Sequence, residues 1–218
     1  MQRIEAIIFD LDGTLIDSVV DLAASVNHTL TALGHASRSL DEIRSFVGDG
    51  VQKLIARSLG DPDLELRQRA LQIFIRHYEV HLLDHTRLYD GVAATLEALY
   101  NDYRLAVLTN KGEGFTNKIL HGLGVARYFA AVIGGDTLTV KKPEPAAILH
   151  LAQLWNIPPV RMLMVGDHAT DIQVGINGGC RTVFCANGIG WTRGLRPDAV
   201  IHAITELPAV AARFNEQP

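Results

Sequence analysis

Ala6-Ile7-Ile8-Phe9-Asp10-Leu11-Asp12-Gly13-Thr14 is an apolar run that empties into two carboxylates and a glycine. Such a run reads as a buried strand ending at a polar, reactive edge. Asp10 and Asp12 are separated by a single residue. Carboxylates that close repel, so the site calls for a cation between them or a proton on one of them. A hard divalent metal meets that demand, and Mg²⁺ characteristically takes one or two carboxylates together with waters and phosphate oxygens. The plain alternative is a solvated turn, where Asp and Gly are common. An EF-hand does not fit the spacing, because that loop needs acids at its first, third and fifth positions and glycine at its sixth.

Outward from this stretch, strand and helix patterns alternate. Ile4 to Phe9 reads as the first strand. Asp17 or Ser18 caps a helix with Val19, Leu22, Val26, Leu30 and Leu33 at helical spacing, stopped by Gly34. From there to about residue 88 only helical patterns occur. A short helix follows Ser39, with Asp41 and Glu42 in its first turn; a second runs from Val51 to Leu59 and ends at Gly60. A third follows Asp61-Pro62-Asp63, with Leu66, Ala70, Ile73, Phe74 and His77 on one face. Alternation resumes after Asp90-Gly91. A helix through Leu96 and Leu99 leads to the strand Arg104 to Leu108, and the next helix ends at Gly124. Ala131 to Ile133 is a short strand before Gly134-Gly135, and a helix then runs from Glu144 to about Trp155. Met162 to Val165 is a strand, followed by a helix to about Asn177, a strand through Val183-Phe184 and a last strand, Ala199 to Ile201. This order predicts an α/β fold: a Rossmann-like three-layer core around a parallel sheet, residues 1–16 and 89–218, with an inserted all-helical domain, residues 17–88. In such sheets ligands bind outside the carboxyl ends of the strands, near a switch in strand order.

Polar residues follow the core strands where that rule places a site. The first strand delivers Asp10 and Asp12; Leu105 to Leu108 delivers Thr109 and Asn110; Val165 is followed by Gly166-Asp167 and then Asp171. Between them lies Lys141-Lys142-Pro143. Singly, each has a structural reading: Thr109-Asn110 as a helix cap, Lys142 as a solvated lysine, Asp167 as a turn residue, Asp171 as a helix-face acid. Jointly they are what a metal, a phosphoryl group and a nucleophile need: charge compensation, donors for equatorial oxygens and an attacking oxygen.

Asp10-Leu11-Asp12-Gly13-Thr14-Leu15, Leu108-Thr109-Asn110, Lys142-Pro143, and Gly166-Asp167 with Asp171 resemble the four motifs of the haloacid-dehalogenase-like hydrolase superfamily, across essentially the whole chain. Phe46-Val47-Gly48-Asp49-Gly50, Thr109-Asn110-Lys111, Gly134-Gly135-Asp136-Thr137 and Lys141-Lys142-Pro143-Glu144-Pro145 are most similar to phosphoglycolate phosphatases. The resemblance implies that Asp10 is a nucleophile forming an aspartyl-phosphate and that Asp12 is general acid, then general base. It implies Mg²⁺ held by the carboxylates of Asp10 and Asp167 and the backbone carbonyl of Asp12. Thr109, the amide of Asn110 and Lys142 would hold the phosphoryl oxygens, and Asp171 would orient Lys142 or a metal-bound water. The helical insert would be a cap, with Val47-Gly48-Asp49-Gly50 facing the site and Gly48 and its neighbours meeting the substrate's carboxylate; an ordinary interhelical turn is the alternative. Dehalogenases of the superfamily lack the second aspartate, so Asp12 points to phosphoryl chemistry.

The substrate so implied is a small phosphomonoester, 2-phosphoglycolate foremost. Sugar-phosphate phosphatases, pyrophosphatases and phosphosugar mutases share the machinery. A phosphonatase would need a cap lysine, for which Lys53 is the one candidate. A non-catalytic regulatory protein on this fold would be expected to lack a nucleophile, metal ligand or phosphate donor, and each is present. The chain departs from its relatives at His168-Ala169-Thr170, where Ser-Arg-Asn is usual; His168 is expected in a surface loop, the alternative being that it tunes pH dependence beside a metal ligand. Gly112 follows Lys111 where proline is frequent, and Gly188-Ile189-Gly190-Trp191 replaces a tyrosine-bearing segment.

Bulk properties narrow the class further. The 218 residues are 48% apolar with a net charge of −4 and interspersed signs, which suggests neither a nucleic-acid footprint nor a membrane anchor. No apolar run approaches the roughly 18 residues of a membrane span. Cys180 and Cys185 are expected as buried free thiols, which fits a reducing cytoplasm. The nine histidines show no ligand spacing. The expected partner is a small-molecule phosphoester, and the expected assembly a monomer or homodimer.

Overall fold

The computed structural model of the chain describes residues 3–216. β1 (Ala6–Phe9), β4 (Arg104–Leu108), β5 (Ala131–Ile133), β6 (Met162–Gly166), β7 (Arg181–Cys185) and β8 (Ala199–Ile201) pair into one sheet in the order β5-β4-β1-β6-β7-β8. Every pairing in it is parallel. The chain adds strands on one side of β1, then crosses over and adds them on the other, so the switch in strand order falls at β1 between β4 and β6. Register is set by the apolar runs: Ile7 lies level with Leu105 on one side and with Leu163 on the other.

The alternation of side chains along these strands divides the core in two. Ile7, Phe9, Leu105, Val107, Leu163 and Val165 pack on one face. There they meet α5 (Val92–Tyr100) through Leu96 and Leu99, α6 (Glu113–Gly122) through Ile119 and Leu120, and α9 (Leu207–Glu216) through Leu207, Ala211 and Phe214. Ala6, Ile8, Ala106, Leu108, Met162 and Met164 pack on the other face, against α7 (Ala146–Trp155) and α8 (Ala169–Gly178). Helices cover both faces, so strands that are apolar on both sides are the stable solution. The three-layer α/β expectation holds.

The insert is built from α1 (Val19–Ala32), α2 (Leu40–Phe46), α3 (Val51–Leu59) and α4 (Leu64–His81). Ser39 starts α2 with a capping box: its hydroxyl accepts from Glu42 N and the Glu42 carboxylate accepts from Ser39 N. Asp63 caps α4 by accepting from Leu66 N at 2.8 Å. Leu22, Val26, Leu30, Ile43, Leu54, Phe74 and Tyr78 of these helices belong to the same continuous apolar cluster as Phe9 and Val107. The insert therefore sits packed down onto the sheet unit.

Several expectations need correction. The stretch to residue 88 is not purely helical: β2 (Ile16–Asp17) and β3 (Arg87–Leu88) pair antiparallel where the chain enters and leaves the insert. Two-residue strands carry no periodicity to read. α7 begins at Ala146 rather than Glu144, because Lys141–Glu144 closes a turn and Pro145 occupies the N-cap. α9 follows the last strand and was not foreseen. Cys185 is buried as expected, whereas Cys180 is only half-buried. His77 and His81 lie one turn apart on α4 and stack with each other, and His77 also stacks with His28 of α1. No helix among the described residues is long and apolar enough to cross a membrane.

Candidate active site

Asp10 is the first residue past β1, and its amide donates to Val165 O of β6 at 2.9 Å. Thr109 is the first past β4, with its amide on Ile133 O at 3.0 Å. Asp167 is the first past β6. Because β4, β1 and β6 are neighbours in register, these side chains emerge at one edge. Lys142 arrives from the loop before α7, joined to Pro143 by a cis peptide bond. Its side chain is 2% exposed, and Nζ donates to Asp10 Oδ1 and to Asp171 Oδ1, both at 2.6 Å. Asp171 lies in the first turn of α8, and its Oδ2 accepts from His168 N at 2.9 Å. Gly166 makes this approach possible, since a Cβ there would stand 2.3 Å from Asp171 Cγ.

Asp167 is held from three directions. Thr14 Oγ1 donates to Oδ1 at 2.9 Å, and the amides of Ile189 and Gly190 donate to Oδ2 at 2.8 and 2.9 Å. Carboxylate oxygens of Asp10, Asp167 and Asp171 all lie within 4.8 Å of one another, the one such group among the described residues. Three buried carboxylates thus face one ammonium. Burial, and then the neighbouring Asp171, pushes the Asp167 carboxyl up to about 6. Burial raises Asp10 well above the ordinary carboxylate range despite the opposing pull of Lys142. Burial also opposes the charge on Lys142, but Asp10 and Asp171 outweigh it and its pKa is raised. A compact cluster of hard oxygen donors with surplus negative charge suits a divalent cation.

Asp12 has a different set of partners. Its Oδ1 accepts from Ser18 Oγ at 2.5 Å and pairs with Lys111 Nζ at 3.1 Å. Lys111 Nζ in turn donates to the Tyr78 hydroxyl of α4 at 2.7 Å. Burial opposes the ammonium here too, yet Asp12 and Tyr78 hold the Lys111 pKa up. Ser18, Lys111 and Tyr78 were not among the residues expected at the site, nor were Thr14 and the Ile189-Gly190 amides. Lys111 directly follows Thr109-Asn110, which was a signal; Tyr78 carried none, because only the fold brings α4 to this strand end.

A cavity of about 150 Å³ separates sheet and insert, with Asp10, Asp12, Thr109, Asn110 and Lys111 on one side and Gly48, Leu54, Phe74 and Tyr78 on the other. Asn110 does not offer its side-chain amide to this space. Its Nδ2 donates to Gly48 O at 3.1 Å and to Lys142 O at 3.4 Å, and its Oδ1 is buried without a partner. Gly48 has φ +114°, and a Cβ there would lie 3.2 Å from the His168 ring, so glycine is what lets this turn close on the sheet. His168 itself is not a surface loop residue: it is 5% exposed, caps α8 and stacks obliquely with Trp191. A histidine just before a helical pattern occupies the N-cap position, and that places it behind the Gly48 turn. Lys53 is exposed and extends toward Asp49, 3.9 Å away, which Arg57 also holds at 2.5 Å.

Comparison with known proteins agrees with this geometry. Residues 7–185 match the model of the haloacid dehalogenase-like hydrolase family. The chain is 40% identical to a phosphoglycolate phosphatase of Nitrosospira multiformis over 214 residues, covering 93% of each chain. It is 36% identical to a phosphoglycolate phosphatase of Thiobacillus denitrificans, again over 93% of each. Among solved structures, one described as a predicted phosphoglycolate phosphatase from Haemophilus somnus superimposes with a TM-score of 0.90 at 29% identity, covering 96% of this chain and 99% of that one.

Proposed function

The chain belongs to the haloacid dehalogenase-like hydrolase family, and from that premise we propose that it is a Mg²⁺-dependent phosphatase of 2-phosphoglycolate that works through an aspartyl-phosphate on Asp10. The observation that carries the reading is the buried surplus of carboxylate at the ends of β1 and β6, bridged by Lys142 and lying beside a second aspartate that lines the cavity. The substrate is taken from the names of the relatives. A cavity of about 150 Å³ suits an ester far smaller than the ligands of typical pockets of ~300–1,000 Å³.

Lys142 holds Asp10 Oδ1, so Oδ2 is the oxygen that attacks phosphorus. The ester oxygen leaves with a proton from Asp12. Asp12 then takes a proton from the water that attacks the aspartyl-phosphate, inorganic phosphate departs and Asp10 returns as a carboxylate. Thr109 Oγ1 accepts from Lys111 N at 3.2 Å, which leaves its hydroxyl proton for a phosphoryl oxygen. Lys142 and the Asn110 backbone amide serve the other phosphoryl oxygens as charge develops. Asp10, Asp167 and the Asp12 carbonyl would hold Mg²⁺, which when bound supplies positive charge against both the carboxylates and the phosphoryl oxygens. Asp171 orients Lys142. The helices of residues 17–88 act as a cap whose Gly48 turn forms the roof over the substrate. The protein is read as cytoplasmic, a monomer or homodimer.

The test is phosphate release from 2-phosphoglycolate, hexose phosphates and pyrophosphate with Mg²⁺, in the parent and in Asp10→Asn and Asp12→Ala. Preference for 2-phosphoglycolate, lost by about 10²-fold or more in each variant, is the expected result. Asp12→Ala turnover near the parent rate would overturn the acid–base role, and preference for another ester would overturn the substrate. Isomerisation of a hexose 1-phosphate without phosphate release would identify a mutase.

A further inference from the structure

Lys111 has no task in the transfer just described, yet it is a buried ammonium in the wall of the cavity. Burying an ammonium costs several kcal/mol unless its donors are matched. Among the described residues Nζ has two partners, Asp12 Oδ1 and the Tyr78 hydroxyl, whereas an ammonium carries three donors. One N–H therefore remains for a third acceptor.

The wall around it has a definite polarity. Asp10, Asp12 and Asp136 are the acids that line the cavity, and Lys111 is its one cation among the described residues. Lys141 approaches the turn at Gly50 but is exposed. Phe74 and Tyr78 of α4 pack ring against ring, and Tyr78 meets Phe115 of α6 edge-on across the cavity wall, with centroids 5.3 Å apart in each contact. In a wall that otherwise carries carboxylates and apolar side chains, Lys111 is the one charge that attracts an entering anion, and burial leaves that attraction less weakened by water.

The reach of the substrate matches. In 2-phosphoglycolate one carbon joins the carboxylate to the ester oxygen. That oxygen has to reach Asp12 to take its proton, so the carboxylate falls beside whatever touches Asp12. Two groups touch Asp12 Oδ1, Ser18 Oγ and Lys111 Nζ, and of these Lys111, at 3.1 Å, is the one that carries charge and lines the cavity. Gly48 turns its carbonyl toward the Asn110 amide, and an oxygen acceptor does not recognise a carboxylate.

We propose that Lys111 is the specificity-determining cation of this site, taking the carboxylate of the substrate while the Tyr78 hydroxyl, brought by α4, fixes the ammonium from the cap side. This rests on the reading of the site as a 2-phosphoglycolate phosphatase. It also makes recognition depend on the insert being seated, since Tyr78 belongs to the insert and Lys111 to the sheet unit.

The experiment is the ratio of kcat/KM for 2-phosphoglycolate over ethyl phosphate, the same ester with a methyl group in place of the carboxylate, in the parent, Lys111→Met and Tyr78→Phe. A charge-assisted contact predicts that the ratio falls by about tenfold or more in Lys111→Met and by a smaller factor in Tyr78→Phe. A residue that merely steadied Asp12 would slow both esters alike and leave the ratio unchanged, which overturns the proposal. A parent enzyme with no preference between the esters overturns the substrate reading and this inference together. A parent preference that survives in Lys111→Met overturns the inference alone. Should Lys111→Met fail to fold, an unaltered ratio in Tyr78→Phe, which keeps the ring, decides against it.

Discussion

At the scale of single residues, Lys142 is the position on which the site's charge balance turns. Its ammonium answers two buried carboxylates at once, so a neutral replacement leaves Asp10 and Asp171 uncompensated and removes a donor from the phosphoryl group. Lys142→Met is expected to lower kcat by about 10²–10³-fold, and Lys142→Arg not to rescue it, because a planar guanidinium cannot occupy the space of a compact ammonium held at 2.6 Å on two sides. Phosphate-release rates within about threefold of the parent in either variant would refute this. Asp10, Asp12, Thr109, Asp167 and Asp171 were nameable from sequence because each follows closely a strand that its apolar run announces, and Lys142 because it stands in a Lys-Lys-Pro loop ahead of a helix. What they touch was not. Ser18 reaches Asp12 across a turn, Lys111 reaches it from the end of β4, Tyr78 comes to Lys111 from a helix 33 positions away, and Asp167 is held partly by backbone amides, which leave no side-chain signature.

Among the elements, those with chemical punctuation matched expectation: α3 lies between Gly50 and Gly60, and α2 opens on the Ser39–Glu42 pair. α9 buries Leu207, Ala211 and Phe214 on one helical face, a pattern that the sequence carries after the last strand. The β2–β3 pairing had no local signal, because register between positions so far apart is decided by the fold. A further long-range device secures the same junction. Asp21 of α1 is 1% exposed and accepts from His85 N, Thr86 N and Thr86 Oγ1. Burial alone would raise its carboxyl, but these bonds outweigh it and hold the pKa below the ordinary value. A depressed carboxyl contributes stability above its unfolded pKa and loses it as pH falls through the folded one. Asp21→Ala should therefore lower Tm by several degrees at neutral pH, for a loss of about 1–3 kcal/mol. The gap between parent and variant should close below about pH 4. Thermal melts across that range check it, and a gap that widened in acid would contradict the assignment.

For the molecule as a whole, the cation should govern stability in a pH-dependent way. Asp10 and Asp167 have folded pKa values raised above their ordinary ones, Asp167 to about 6. The metal-free folded state then holds protons that the unfolded chain releases, so its stability falls as pH rises from about 4 to about 6. A divalent cation binds the ionised form and offsets that loss where protons no longer compete. The gain in Tm on adding MgCl₂ should accordingly be larger at about pH 7.5 than at about pH 5; equal gains would place the cation elsewhere. The junction of insert and sheet carries one more consequence. Ile16 faces Leu88 and Asp17 faces Arg87, so the helices leave and return through one doorway, its two jambs bonded to each other. A body tethered that way keeps its two feet together, so any motion relative to the sheet pivots at this one junction. The same adjacency means that a tight turn can join the antiparallel jambs, and the strand pairings that align Asp10, Thr109 and Asp167 are made outside the helices between them.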